Sequence, residues 1–117
     1  MLLQLNHQKL DVFIAAKLFT LECYRITKQL PPEEKFNMIQ QLRRASLPVY
    51  LNIVEGCSGK SLTERKRFFE ISRGSIIEID AVLDLCVELN YSKKENLQSL
   101  GEYMQRIFSM STRMIGG

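Results

Sequence analysis

The chain has no tryptophan, one histidine, three prolines and three cysteines among its 117 residues. Each shortage closes a route. The one histidine, His7, has no second ligand three or four positions away, which argues against a metal site and leaves no Ser–His–Asp or Cys–His set with workable geometry. Cys23, Cys57 and Cys86 are odd in number, widely spaced and without a Cys-x-x-Cys pair. They read as reduced thiols rather than a disulfide framework or zinc knuckle, with Cys23 and Cys86 in the core and Cys57 near a turn. Glu78, Asp80, Asp84 and Glu88 crowd one segment but lack the Glu-x-x-His pattern of di-iron bundles. The stretch from Gly56 to Ser61 ends in Gly-Lys-Ser, yet it has neither the glycine spacing nor the preceding strand of a phosphate loop. With no catalytic set, the expectation is a protein that is not an enzyme and carries no cofactor and no metal.

Long hydrophobic runs are also missing. The apolar stretches are broken by Lys17, Glu22 and Arg25, far short of the ~20 residues that span a bilayer. The opening residues 1–9 have neither a charged leader nor a long apolar segment, so a cytoplasmic protein is expected. No segment alternates with period two, and no long-period repeat occurs.

What is present is helical. Hydrophobic content of 45% and charged content of 25% suit a single globular domain over residues 1–117. The net charge of +3 permits an acidic partner without demanding one. Four helices are predicted, over about residues 9–29, 32–56, 62–90 and 93–114. In the first, Leu10, Phe13, Ile14, Leu18, Leu21, Tyr24 and Ile26 follow helical spacing, and Val12, Phe19 and Cys23 widen the apolar surface beyond one stripe. A bundle core covers one side only, so the second side predicts an oligomer. Leu30-Pro31-Pro32 stops this helix. The second is predicted to open at Pro32 with Glu33 and Glu34 in its first turn, to bury Phe36, Ile39, Leu42, Val49 and Ile53, and to kink at Pro48. Ser61-Leu62-Thr63-Glu64 and Ser92-Lys93-Lys94-Glu95 read as capping boxes for the third and fourth helices. Phe68, Ile71, Ser72, Ser75, Ile79, Leu83, Cys86 and Leu89 form the stripe of the third, and Leu97, Leu100, Met104, Ile107 and Met114 that of the fourth. The fold class is all-α: an antiparallel up-down-up-down four-helix bundle with a proline-kinked second helix.

Folding the third helix back on the second about the Gly56–Lys60 turn sets Arg43 and Arg44 beside Gly74, Ser75 and Glu78. That predicts a structural polar network of Arg43, Arg44, Asn52, Glu55, Ser75 and Glu78. An arginine–Glu78 ion pair would hold the register, Gly74-Ser75 would allow close approach, and Asn52 and Glu55 would satisfy backbone groups. The run Lys60, Arg65, Lys66, Arg67 and Arg73 lies at and beyond a helix start, where cations oppose the macrodipole. A phosphate-contacting patch is the functional reading of it, with Arg43 and Arg44 as further candidates if exposed. A solvated face partly neutralised by Glu64 and Glu70 is the plainer one.

Three stretches together carry a resemblance: Gln41-Leu42-Arg43-Arg44-Ala45, Asn52-Ile53-Val54-Glu55-Gly56, and Phe68 through Glu78. In order and spacing the chain resembles the bacterial four-helix-bundle family encoded in intervening sequences of 23S ribosomal RNA genes. It is also similar to the accessory protein of diversity-generating retroelements, a pentameric nucleic-acid-binding barrel. The resemblance implies a non-enzymatic bundle that assembles as a homopentamer. Five copies of a +3 chain would carry about +15, turning a weak patch into a substantial field. The expected function is therefore nucleic-acid binding, RNA first, through basic residues of a homo-oligomer. The alternative is a scaffold for a genetically linked protein partner.

Overall fold

The computed structural model describes residues 1–116. Among them are four α-helices and no strand: α1 (Asp11–Thr27), α2 (Met38–Ser58), α3 (Leu62–Glu88) and α4 (Gln98–Gly116). Gly117, second of the Gly116-Gly117 pair that follows the predicted fourth helix, lies outside the described residues. Each helix packs on its neighbours in the chain, and α1 closes the ring against α4. Contacts between successive helices pair rising numbers on one with falling numbers on the next. Arg65, Ser72 and Glu78 of α3 meet Gly56, Val49 and Gln41 of α2. Likewise Phe13 meets Tyr50, and Thr27 meets Arg43.

The connections explain the boundaries. After Pro31, a 3₁₀ turn occupies Pro32–Glu34 with proline at its start, and Asn37 leaves helical geometry (φ −129°, ψ −99°). The second helix therefore begins at Met38 rather than Pro32. As a consequence Phe36, expected in the core, is 81% exposed, with Lys35 Nζ over its ring. Glu34 ties this junction together: its carboxylate accepts from the Met38 N–H at 3.4 Å and from Tyr91 Oη at 3.3 Å. Ser61 caps α3, its Oγ accepting from the Glu64 N–H at 3.1 Å. The C-terminus of α3 turns through Asn90 in the left-handed region (φ 61°). There the Tyr91 N–H reaches the Cys86 carbonyl and the Asn90 N–H that of Val87. This is a Schellman motif with asparagine in place of the usual glycine. The second expected capping box does not form: a 3₁₀ turn over Lys94–Leu97 follows Lys93, without a side-chain cap, and α4 starts only at Gln98.

The core selects other faces than periodicity suggested in two helices. On α1 the buried set is Val12, Phe13, Ala15, Ala16, Phe19, Cys23 and Ile26, while Leu10, Ile14, Leu18 and Leu21 face outward. The helix is apolar on both sides, and the small Ala15 and Ala16 let α2 and α4 approach where bulkier residues would hold them off. On α3 the stripe is Phe69, Ser72, Ile76, Ile79, Leu83 and Cys86, one position on from Phe68 at its start, leaving Ile71 and Leu89 exposed. Of the expected faces of α2 beyond Phe36 and of α4, Leu42, Val49, Ile53, Leu100, Met104 and Ile107 are buried, and Ile39, Leu97 and Met114 are half-buried against them.

Helix α2 runs through Pro48 without interruption. Proline supplies no N–H for the carbonyl four residues back, and polar side chains add bonds to other carbonyls of the segment. Asn52 Nδ2 bonds the Pro48 carbonyl at 2.8 Å, Ser46 Oγ that of Arg43 at 3.2 Å, and buried Ser72 Oγ reaches across from α3 to Val49 at 3.0 Å. Gly56 lies inside the helix rather than ending it. A Cβ there would stand 2.9 Å from the Phe69 ring, so the glycine makes room for the largest side chain of the α3 stripe. Close approach of α2 and α3 occurs here and not at Gly74, where an added Cβ would meet nothing within 4 Å.

Candidate nucleic-acid interface

At the α2–α3 turn, three successive basic residues begin α3 and one more precedes it. Lys60 and Arg67 are exposed, and Arg65 and Lys66 are half-buried. Arg65 serves the turn itself, its Nε donating to the Gly56 carbonyl at 2.9 Å, near the end of α2. That end has no basic residue of its own in its last turn. A cation early in α3 therefore sits at the favourable end of α2, which offsets its opposition to the α3 dipole. The same guanidinium partly counters the burial that pushes the Cys57 thiol upward. Gly59 accommodates it, since a Cβ there would meet Arg65 Cγ at 2.8 Å.

Lys66 gains a partner from the far end of the chain. With Arg65, it lines a shallow pocket of about 140 Å³ whose other cation is Arg113 of α4, with Leu62, Phe69 and Met114 as apolar walls. Arg113 was not among the residues that sequence reading proposed. Its signal was present, since the last turn of a fourth helix returns beside the first turn of the third in an alternating bundle. Among the described residues the one ion pair is Arg25–Glu22 at 2.7 Å, remote from this end. Lys60, Lys66, Arg67 and Arg113 thus form a cationic end with apolar ground between charges. Such a surface can contact phosphates while a sugar or base edge rests on the apolar walls.

The other sequence candidates are placed elsewhere. Arg73 points along the α3–α4 contact, its guanidinium 4.4 Å from the Phe108 ring centroid and its Nε buried without a partner. Arg43 is half-buried between α1 and α2, donating to Thr27 Oγ1 at 2.9 Å and stacked 5.3 Å from the Tyr24 ring. Arg44 is exposed, and Gln40 one turn back along its own helix, with its amide turned about, presents its oxygen to Arg44 Nη2 at 2.8 Å. Neither arginine pairs with Glu78, which accepts instead from Gln41 Nε2. The single polar network expected of Arg43, Arg44, Asn52, Glu55, Ser75 and Glu78 is thereby resolved into separate local bonds. Among the described residues, the side chains of Glu55 and Ser75 take no hydrogen bond. His7 packs edge-on against Phe13, ring centroids 5.6 Å apart.

The model of one family matches the chain over residues 8–113, from the lead-in turn to the last turns of α4, and its description is 23S rRNA-intervening sequence protein. The chain belongs to that family. Membership spans all four helices, and the family's description names a ribosomal RNA context and no activity. No curated protein matches the chain. Among the described residues, no helix is long and apolar enough to cross a membrane.

Proposed function

We propose that this 23S rRNA-intervening sequence family member is a non-enzymatic, cytoplasmic subunit of a homo-oligomer, a pentamer, that binds nucleic acid through its cationic end. RNA is the first candidate. Each subunit is an up-down-up-down antiparallel bundle bent at Pro48. The observation that carries the reading is the convergence of Lys66 and Arg113 from two helices beside exposed Lys60 and Arg67, with no carboxylate paired to them among the described residues. Arg65 supports the turn, and Arg73, Arg43 and Arg44 fall outside the interface.

The test is light scattering on the purified chain, with absorbance at 260 and 280 nm before and after nuclease and high salt. A mass near five chains with salt-removable nucleic acid is expected. Replacing Lys60, Lys66, Arg67 and Arg113 with Glu should abolish binding while leaving the helical signal intact. Replacing one at a time with Ala should flatten the salt dependence by about 0.7 in log–log slope per lost single-strand contact. Binding undiminished in the fourfold variant would dismiss the interface. An oligomer free of nucleic acid would point instead to a scaffold for a protein partner.

A further inference from the structure

Two opposed walls of the bundle remain apolar. On one, α1 exposes Ile14, Leu18 and Leu21 at 43%, 38% and 59%, and α2 exposes Leu47 and Leu51 at 43% and 50%. Both sets follow single-face helical spacing, and between them lies a cleft of about 340 Å³ lined by Lys17, Thr20, Leu21, Tyr24, Leu47 and Tyr50. The other wall holds a groove of about 350 Å³ between α3 and α4, lined by Ile76, Ile77, Asp80, Gly101, Met104 and Phe108. A second depression, sharing Asp80, Gly101 and Met104, extends it to Asp84. Because contacts run around the ring from α1 to α4, the α1–α2 wall and the α3–α4 wall are opposite sides.

We propose that the α1–α2 ridge of one copy seats in the α3–α4 groove of the next, a head-to-tail contact between second copies of this chain. Charge selects the occupant. The ridge cleft carries Lys17 and no carboxylate, with Arg44 one turn from Leu47; the groove linings carry Asp80 and Asp84, and the Arg73 guanidinium is confined to one end, stacked on Phe108. The acidic half of α3 is also set against its own helix. No basic residue occupies its last turn, so the cations that would complement it must come from elsewhere. The groove's glycine points the same way. Gly101 weakens a helix interior, and an added Cβ would meet nothing within 4 Å in its own chain, as also at exposed Gly74. A small residue there leaves depth for an incoming side chain. Nucleic acid would be repelled by the two aspartates, whereas a second copy brings the matching ridge.

The inference rests on the homo-oligomer in the proposed function and deepens it. A contact between two different patches on one chain is heterologous, and it closes into a ring when the rotation permits. Rotation symmetry then holds every cationic end at one height and gathers Lys60, Lys66, Arg67 and Arg113 of all copies at one rim.

Complementation tests this directly. A ridge variant carries Leu21→Asp with Leu47→Asp, and a groove variant carries Ile77→Arg with Gly101→Gln; all four positions are exposed. Each variant alone should run at the single-chain mass of 13.6 kDa with helical content retained. Mixed in equal amounts they should double that mass, because one intact ridge and one intact groove remain. Variants that keep the wild-type oligomer mass, or monomers that fail to combine, would overturn the contact while leaving the oligomer standing. A monomeric wild type would fail the oligomer reading itself. Charge reversal gives a second route that removes no apolar packing. Lys17→Glu with Arg44→Glu should dissociate the assembly, and adding Asp80→Lys with Asp84→Lys to the same chain should restore it. Absence of that rescue would overturn the charge pairing.

Discussion

Helix α3 meets its two neighbours in opposite ways. Toward α2 it is closed. Phe69 presses on Gly56, Ser72 donates into the α2 backbone, Arg65 caps the Gly56 carbonyl, and Cys86 Sγ lies 4.0 Å from Met38 Sδ. Toward α4 it is partly open, with a groove floored by Met104 and Gly101 and bridged at one end by Arg73 on Phe108. Glycine has opposite meanings on the two sides. At Gly56 the side chain is absent because the partner helix already fills its place; at Gly74 and Gly101 the space is empty and the residue costs helix stability for no gain within the chain. A glycine's role is thus decided by what its missing Cβ would meet.

Breaking the closed side should have the largest effect. Phe69→Ala empties a fully buried site and should destabilise by about 3–5 kcal/mol in urea unfolding. A loss below about 1 kcal/mol would mean the seam is not packed as described. Gly56→Ala drives a methyl against the same ring and should cost about 1–3 kcal/mol. Pairing it with Phe69→Leu should recover part of the loss, since the clash is with the ring; strict additivity of the two would show that they are not coupled.

The cysteines sharpen the comparison through pH. Burial, helped by the Glu22 charge, holds the Cys23 thiol protonated to about 12 against an ordinary 9.0. The folded pKa is raised, so this contribution is complete below pH 9 and is lost as pH climbs from about 9 towards 12. Between pH 8 and 10 it should amount to about 1 kcal/mol, absent in Cys23→Ala. At pH 8 a thiol reagent should label half-buried Cys57 in the native protein and reach Cys23 and Cys86 only on unfolding. Rapid labelling of all three would contradict the buried positions. Ser61→Ala, which removes the α3 cap, should lower stability by about 0.5–2 kcal/mol. The smallest change has the opposite sign. Gly74→Ala should stabilise the isolated fold by up to about 1 kcal/mol, and a loss of stability in monomeric protein would show an unseen crowding at that site.

Several features could be read before any fold was known, and the failures share one cause. Breaks at Pro31, Ser61 and Asn90-Tyr91 were legible because they arise from backbone chemistry within a few residues. The α4 face was legible because its other side is polar, leaving one way to bury it. Helix α1 offered two apolar faces, so Val12, Phe19 and Cys23 were read as widening the stripe that held Leu18 and Leu21, when they are core and Leu18 and Leu21 are outer. The doubled surface was read correctly, and of the expected stripe Phe13 and Ile26 are core while Leu10, Ile14, Leu18 and Leu21 are outer. Pro32-Glu33-Glu34 has the composition of a helix start, but it forms only a 3₁₀ turn that ends before Met38 and strands Phe36 in solvent. The expected pair of Arg44 or Arg43 with Glu78 failed because Gln41 takes Glu78, and Thr27 and Tyr24 of α1 hold Arg43.

The chain by itself determined its helical class, the breaks at Pro31, Ser61 and Asn90-Tyr91, and its family, since period, caps and motif order are properties of short segments. The tertiary structure alone decided which face of α1 is inside, why residue 56 has no side chain, and that Arg113 joins Lys66. These depend on which surfaces meet across dozens of residues, and burial is a property of the pair rather than of either helix.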